Sequence, residues 1–238
     1  MRLQRFYLTT PVSGATFDVT DRDLVHQWRS VFRYNVGSQV ILFDGSGTDY
    51  VCVISSLRNL GATVSVIKKT QTADVTTRKN IWLCMALIKK DNFELVVQKA
   101  TELGVSHIVP ILCEHSEKKN VRRDRLQKII VEASEQSGRG DIPEICDATT
   151  IALILQAGQL PQEKIVFHPA GKEAGLSFEQ WRASTTAMSV AVFIGPEGGF
   201  SDKEIAQFKT FNIPVLSLGT QILRAETAGI AVASLLLL

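Results

Sequence analysis

Two segments of the chain combine residue types that could do chemistry on a bound small molecule. The first, Phe193-Ile-Gly-Pro-Glu-Gly-Gly-Phe-Ser201, empties an apolar run into three glycines and a proline. Glycine at such a place lets the backbone approach a ligand closely or adopt positive φ. The pattern is not a Walker loop, which needs Gly-Lys-Ser/Thr, and it is not the dinucleotide GxGxxG. A plain strand-to-helix turn would use the same residues, so ligand cradle and tight turn both stay open. The second segment, Leu216-Ser-Leu-Gly-Thr-Gln-Ile-Leu-Arg-Ala-Glu-Thr-Ala228, sets Arg224 between Ile222-Leu223 and an apolar tail. A charge in apolar surroundings is costly unless paired. Either Arg224 and Glu226 form a structural ion pair, or the cation is held to meet an anionic group of a substrate. A third segment, Val166-Phe-His-Pro-Ala170, puts His168 beside a proline, where a histidine is more often structural than catalytic.

All three segments follow strand-like apolar runs, at 164–168, 189–195 and 213–218. Ligands of open α/β sheets collect just beyond the carboxyl ends of strands, so the three loops could share one pocket. The surrounding pattern supports such a sheet. From residue 81 onward, strand-like runs alternate with helical ones: 81–88, then Phe93, Val96, Val97, Ala100 and Leu103 at helical spacing, then 107–112 and a helix over 121–137. Asp91-x-x-Glu94 and Ser201-x-x-Glu204 have the form of capping boxes, and Gly104 is a helix stop. The last helix begins at Glu226. Strand–helix alternation implies a parallel sheet covered on both faces.

Residues up to about 70 read differently. Gln39-Val-Ile-Leu-Phe43 and Tyr50-Val-Cys-Val-Ile54 flank Asp44-Gly-Ser-Gly47, a hairpin signal, and a further strand is expected over 60–67. A helix near 21–32, capped by Asp21 or Thr20, interrupts the strands. Short strands at this spacing suggest a small barrel. The polar stretch Gln71-Thr-Ala-Asp74 marks the boundary between the two parts.

Bulk numbers narrow the function classes. The chain has 238 residues, 45% hydrophobic and 21% charged, with a formal net charge of only +2. Nucleic-acid binding would therefore depend on local clusters. The four cysteines, Cys52, Cys84, Cys113 and Cys146, have no metal-ligand spacing. They read as reduced cytosolic thiols, and no metal is expected. The N-terminus lacks a secretory pattern, and the apolar tail 228–238 falls short of the roughly 20 residues needed to span a bilayer. A cytoplasmic protein is expected, with the tail buried in a core or a subunit interface.

Taken in order along the chain, these segments resemble the 16S ribosomal RNA uridine N3-methyltransferases, a branch of the SPOUT superfamily. The resemblance rests on Ile194-Gly-Pro-Glu-Gly-Gly-Phe-Ser201 together with Leu216-Ser-Leu-Gly-x-x-Ile-Leu-Arg-x-Glu-Thr-Ala228. Supporting matches are Arg5-Phe-Tyr7, His26-x6-Arg33, Lys89-Lys-Asp-Asn-Phe-Glu94, Gln98-Lys-Ala-Thr-Glu-Leu-Gly104 and Glu132-Ala-Ser-Glu-Gln-Ser-Gly-Arg139. Asn92 departs from the pattern, standing where the family often has a cation.

The resemblance implies an N-terminal PUA-like β-barrel over 1–72 and a C-terminal SPOUT α/β domain over 73–238 with a deep trefoil knot, working as a homodimer. It implies S-adenosyl-L-methionine as methyl donor, held by Phe167, His168, Ile194, Gly195, Pro196, Glu197, Gly198, Gly199, Leu216, Ser217, Leu218, Gly219, Ile222, Leu223 and Thr227. The substrate would be a uridine of 16S rRNA in the small ribosomal subunit. Arg224 would then stabilise the uridinate or position a phosphate, with Glu197 or Glu226 as proton acceptor or as orienting group. RNA contacts are expected from Arg2, Arg5, Arg29, Arg33, Lys89 and Lys90. The run Lys118-Lys-Asn-Val-Arg-Arg-Asp-Arg125 reads either as a further RNA patch or as a solvated helix face. Two other classes of reading remain: a SPOUT enzyme acting on another RNA or on a ribose 2′-hydroxyl, and a non-catalytic RNA-binding assembly factor.

Overall fold

The computed structural model describes residues 3–72, 78–117, 120–169 and 177–238. It divides into two compact units, one of Met1–Thr77 with Ser134–Ile142 and one of Arg78–Ala133 with Pro143–Leu238. The short segment Ser134–Ile142 thus folds with the N-terminal part, although it follows far later in sequence.

The first unit is built on β1 (Arg5–Tyr7), β2 (Thr16–Val19), α1 (Arg22–Ser30), β3 (Gln39–Phe43), β4 (Thr48–Leu57) and β5 (Ala62–Gln71). These strands form one sheet in the order β1-β3-β4-β5-β2, with β1 and β3 parallel and the other pairs antiparallel. The β3–β4 hairpin turns through Asp44-Gly-Ser-Gly47, where Gly45 and Gly47 both have positive φ, at 86° and 81°. Asp21 caps α1, its side chain accepting the N–H groups of Asp23 and Leu24 at 3.0 Å. The helix presses Leu24, Val25 and Trp28 into a core with Phe6, Leu42 and Ile54. Strand β5 starts two residues later than the apolar pattern suggests and continues through exposed Lys68 and Lys69. Its edge there is held by pairing to β4 rather than by side-chain burial.

The second unit contains β6 (Asn80–Ala86), α2 (Lys90–Leu103), β7 (His107–Leu112), α3 (Arg123–Ser137), β8 (Glu144–Ile145), β9 (Thr149–Thr150), α4 (Ile151–Gln156), β10 (Glu163–Phe167), α5 (Phe178–Ser184), β11 (Ser189–Ile194), α6 (Asp202–Thr210), β12 (Val215–Leu216) and α7 (Ala225–Leu237). The last turn of α3 belongs to the first unit. The sheet runs β12-β10-β11-β6-β7-β8, all parallel, with β9 pairing the far end of β7. Its central strands are buried on both faces, which is why 81–88 and 190–194 read as near-continuous apolar runs. The tail helix α7 packs on α2 through small residues; a Cβ on Gly229 would lie 3.5 Å from Val96 Cγ1 and 3.4 Å from Met85 Sδ.

One expected cap is not formed. Helix α2 begins at Lys90 with Lys89 at its N-cap and no side-chain cap bond, so Asp91 lies inside the first turn. With the N-cap at Lys89 the third helical residue is Asn92, so Glu94 is out of place for a capping box, and its carboxylate instead accepts from Arg125, Nη2 to Oε2 at 2.6 Å. That hydrogen bond holds Glu94 below the usual carboxylate range. The cap at Ser201-x-x-Glu204 forms as expected, and so does the Gly104 stop, with φ 105°.

Arg5, expected to contact RNA, instead faces inward within the first unit. Its side chain is 5% exposed. Nε and Nη2 donate to the two Asp49 carboxylate oxygens at 3.0 and 2.6 Å. Nη1 donates to the carbonyls of Ser134 and Glu135 at 2.9 and 3.4 Å, and Nη2 also donates to the Arg139 carbonyl at 3.0 Å. The guanidinium further lies 4.3 Å from the Phe43 ring centroid. Five donors meet five acceptors, so none remains for a phosphate. Of the other expected contacts on this unit, Arg29 and Arg33 are exposed, and Arg2 lies outside the described residues. Removing one partner of a buried ion pair strands the other. Arg5→Ala should therefore lower stability by roughly 3 kcal/mol, read by urea unfolding, while Arg29→Ala should leave the midpoint unchanged.

Candidate active site

Strands β10, β11 and β12 are neighbours, and they end at Phe167, Ile194 and Leu216. The loops that follow them close around a cavity of about 490 Å³ with the β6–α2 turn and the start of α7. That size is typical of a small-molecule site. Of the residues singled out in the sequence, Phe167, His168, Ile194, Gly195, Pro196, Glu197, Gly199, Ser217, Leu218, Ile222, Leu223, Arg224 and Glu226 line it. Lys89, expected as an RNA contact beside the pocket, lines it too. The lining does not include Leu216, which is buried, nor Gly198, Gly219 and Thr227. Pro169, Phe200 and Gln221, from the same three loops, also line it, and so do Asn92, Ala225 and Ala228, which had not been named as ligand contacts.

The glycine loop has its shape for specific steric reasons. Gly199 takes φ 75° and donates its N–H to the Pro196 carbonyl at 2.9 Å, closing a tight turn. A Cβ on Gly195 would meet the Phe200 ring at 3.2 Å. The loop then enters α6 through Ser201. The Glu204 carboxylate accepts Ser201 N–H at 2.8 Å with one oxygen and Glu114 N–H at 3.0 Å with the other. Glu204 therefore ties the loop after β11 to the loop after β7. His115, in that second loop, has Nδ1 3.2 Å from the Gly198 carbonyl and 3.1 Å from the Gly199 carbonyl. Its sequence signal was the one that exposed His168, a histidine just past an apolar strand.

The charged groups are arranged asymmetrically. Arg224 is exposed at the N-cap of α7 and makes no ion pair among the described residues, so the Arg224–Glu226 pair is not formed. Glu226 has Oε2 buried without a hydrogen-bond partner. Glu197 is exposed and accepts Lys89 N–H at 3.4 Å. Lys90, also exposed, lies 3.8 Å from Glu94. Farther off, Arg122, Arg123 and Arg125 each meet a carboxylate, of Asp124, Asp147 and Glu94 respectively. These arginines form an ion-paired solvated face, while Lys118 and Lys119 lie outside the described residues. Among the described residues no cluster of His, Cys, Asp and Glu is arranged to hold a metal, and no helix is long and apolar enough to cross a membrane.

Comparison with known proteins identifies this arrangement. The RNA methyltransferase domain family matches residues 76–237. The chain belongs to that family. Beyond the domain, the whole chain is similar to the ribosomal RNA small subunit methyltransferase E of Rickettsia conorii, 29% identical and covering 97% of this chain and 93% of that protein. Among solved structures, a methyltransferase of Legionella pneumophila with bound S-adenosylmethionine superposes with a TM-score of 0.86 at 28% identity, covering 99% of this chain and 97% of its own. Ribosomal RNA small subunit methyltransferase E of Neisseria gonorrhoeae, also bound to S-adenosylmethionine, gives 0.83 at 27% identity, covering 98% and 96%.

The methyltransferase cavity suits that methyl donor. Phe167, Ile194, Leu218, Ile222 and Leu223 give the cavity apolar walls, and Gly195 and Gly199 of the glycine loop line it too. Among the described residues the buried Glu226 Oε2 has no hydrogen-bond partner, so it is available to a donor that enters the cavity. Ile222, 82% exposed, is an apolar side chain that a ligand would cover.

His168 offers a direct check on the site's electrostatics. Burial lowers its pKa below the ordinary imidazole value of 6.5, and the Asp202 charge opposes this only in part. The folded chain thus resists protonation at His168, and this contribution to stability is lost as pH falls below 6.5 through the lowered folded value. An NMR titration of the imidazole should give a midpoint under 6.5, with His168 neutral at pH 7.

Proposed function

We propose that this chain transfers a methyl group from S-adenosylmethionine to N3 of a uridine in 16S rRNA of the small ribosomal subunit. The observation that carries the reading is the cavity at three adjacent strand ends, lined both by Arg224, which makes no ion pair among the described residues, and by Glu226, whose Oε2 has no hydrogen-bond partner there. Relatives named for small-subunit rRNA methylation, and structural neighbours crystallised with S-adenosylmethionine, support the reaction class. The N3 position rests on the resemblance in the glycine loop and the Arg224 segment.

The chemistry sets two demands on the protein. When bound, S-adenosylmethionine supplies an electrophilic methyl group on a sulfonium, so no metal is required. Uridine N3 is a poor nucleophile while protonated, so a group in the cavity has to take its proton as negative charge develops on the base. Glu226 is the better placed acceptor, since its Oε2 is dry and unpartnered, whereas Glu197 faces solvent beside Lys89. Arg224, with no competing carboxylate among the described residues, stabilises the uridinate oxygens or the adjoining phosphate. N3 lies on the pairing edge, so the uridine enters unpaired or flipped. Lys89 at the cavity and exposed Lys90, Arg29 and Arg33 are the remaining candidates for phosphate contacts.

The same reading extends to architecture. The order β12-β10-β11-β6 supports a SPOUT domain with a deep trefoil knot, and the five-stranded first unit supports a PUA-like RNA-binding barrel. Leu235 and Leu238, exposed at the end of α7, support a homodimer. A protein acting on ribosomal RNA would work in the cytoplasm.

Small ribosomal subunits from cells lacking this activity should yield 3-methyluridine when incubated with the chain and labelled S-adenosylmethionine, read by nucleoside analysis. Arg224→Ala should abolish most of that product. Glu226→Gln should lower kcat about 100-fold while leaving the S-adenosylmethionine Kd unchanged. A raised Kd with normal kcat would instead make Glu226 a cofactor ligand. Methylation of another base or of a ribose would retain the enzyme class and overturn the N3 assignment.

A further inference from the structure

The loop after β7, Cys113-Glu-His-Ser116, is not part of the cavity lining, yet it supports the cavity from behind. His115 Nδ1 lies within hydrogen-bond distance of two successive carbonyls, those of Gly198 and Gly199. Carbonyls only accept, so Nδ1 has to carry the hydrogen and share it between them. We propose that His115 is a positioning residue that holds the glycine loop in its cofactor-binding shape. The proposal rests on reading the cavity as the S-adenosylmethionine site.

Three features of the structure support it. The contact is close: a Cβ on Gly198 would lie 3.0 Å from His115 Cβ, so backbone and side chain leave no room for a larger residue. The histidine is itself held. Its neighbour Glu114 donates to the buried Glu204 carboxylate at 3.0 Å, and Ser116 Oγ accepts Cys113 N–H at 3.3 Å. The loop also needs such help. Two glycines in succession are entropically costly to order, and the turn has one backbone hydrogen bond of its own, Gly199 N–H to the Pro196 carbonyl. Gly199, whose carbonyl His115 holds, lines the cavity at positive φ and leads into Phe200. A clamp at this point pre-organises the binding surface without touching the reacting atoms, and such an effect belongs in affinity.

The two carbonyls select the Nδ1–H tautomer of the imidazole.

The test is calorimetric binding of S-adenosylmethionine to the full chain and to two variants, with thermal melting as a folding control. His115→Ala should weaken binding about five- to tenfold and leave kcat at saturating cofactor unchanged. His115→Asn, whose side-chain amide presents an N–H at nearly the place of Nδ1, should restore binding to within about twofold of wild type. Imidazole ¹⁵N shifts should show the hydrogen of the neutral ring on Nδ1. Equal binding by His115→Ala would overturn the proposal, and so would failure of Asn to rescue a folded but weakened Ala variant. A pyridine-type Nδ1 signal would also overturn it. If the wild-type chain itself bound no S-adenosylmethionine, the cofactor reading would fall, and the positioning role with it.

Discussion

The cavity depends on one buried carboxylate. Glu204 sits in the first turn of α6, 8% exposed, and its two oxygens accept backbone N–H groups from two different loops. Burying a carboxylate is costly unless hydrogen bonds replace its water. Here both replacements come from the backbone, and the positive end of the helix adds to them. The arrangement fixes where the glycine loop enters α6 and where the loop after β7 stands behind it. Burial and the nearby Glu204 charge push the Cys113 thiol well up, keeping it neutral beside this junction. The position of His115 behind the glycine loop follows from the same junction.

Charge elsewhere in the chain is divided between structure and chemistry in a way that composition conceals. Arg5 spends every donor inside its own unit, and Arg139 there is paired to Asp141 at 2.7 Å. The arginines at 122, 123 and 125 are paired on the surface. Among the described residues Arg224 makes no ion pair, and it lines a cavity together with Glu197 and Glu226, whose Oε2 has no hydrogen-bond partner there. In a chain of net charge +2, a cation without an ion-pair partner gathered with two carboxylates in one pocket is the feature that most resembles a reaction centre.

The main elements of the α/β unit were legible because parallel strands buried on both faces must be continuously apolar. Strand β7 and the capping box at Ser201 were read to the residue. The weaker elements carried no comparable signal. Helices α4 and α5, with six and seven residues, are too short for helical periodicity to stand out. Strands β8 and β9 have two residues each and exist only because β7 offers them hydrogen bonds. The Asp91-x-x-Glu94 pattern misled because the helix starts at Lys90, which puts Asp91 inside the first turn and leaves Glu94 to a charge-assisted bond from the distant Arg125. Arg5 misled for a similar reason, since Asp49 and three carbonyls from residues 134–139 are invisible as neighbours in sequence.

The sequence by itself determined where the chain must turn, because glycine, proline and capping residues act on their own backbone within a few positions. It also determined which strands must be covered, and it brought the residues of the glycine loop and of the Arg224 segment into view as one family pattern. Only the tertiary structure decided which charges remain available. Whether a guanidinium or carboxylate is spent depends on partners tens of residues away, and hydrogen-bond geometry resolves at fractions of an ångström. The clamp from His115 onto the glycine loop belongs to that second class, since it exists only once strand order places the end of β7 behind the turn that follows β11.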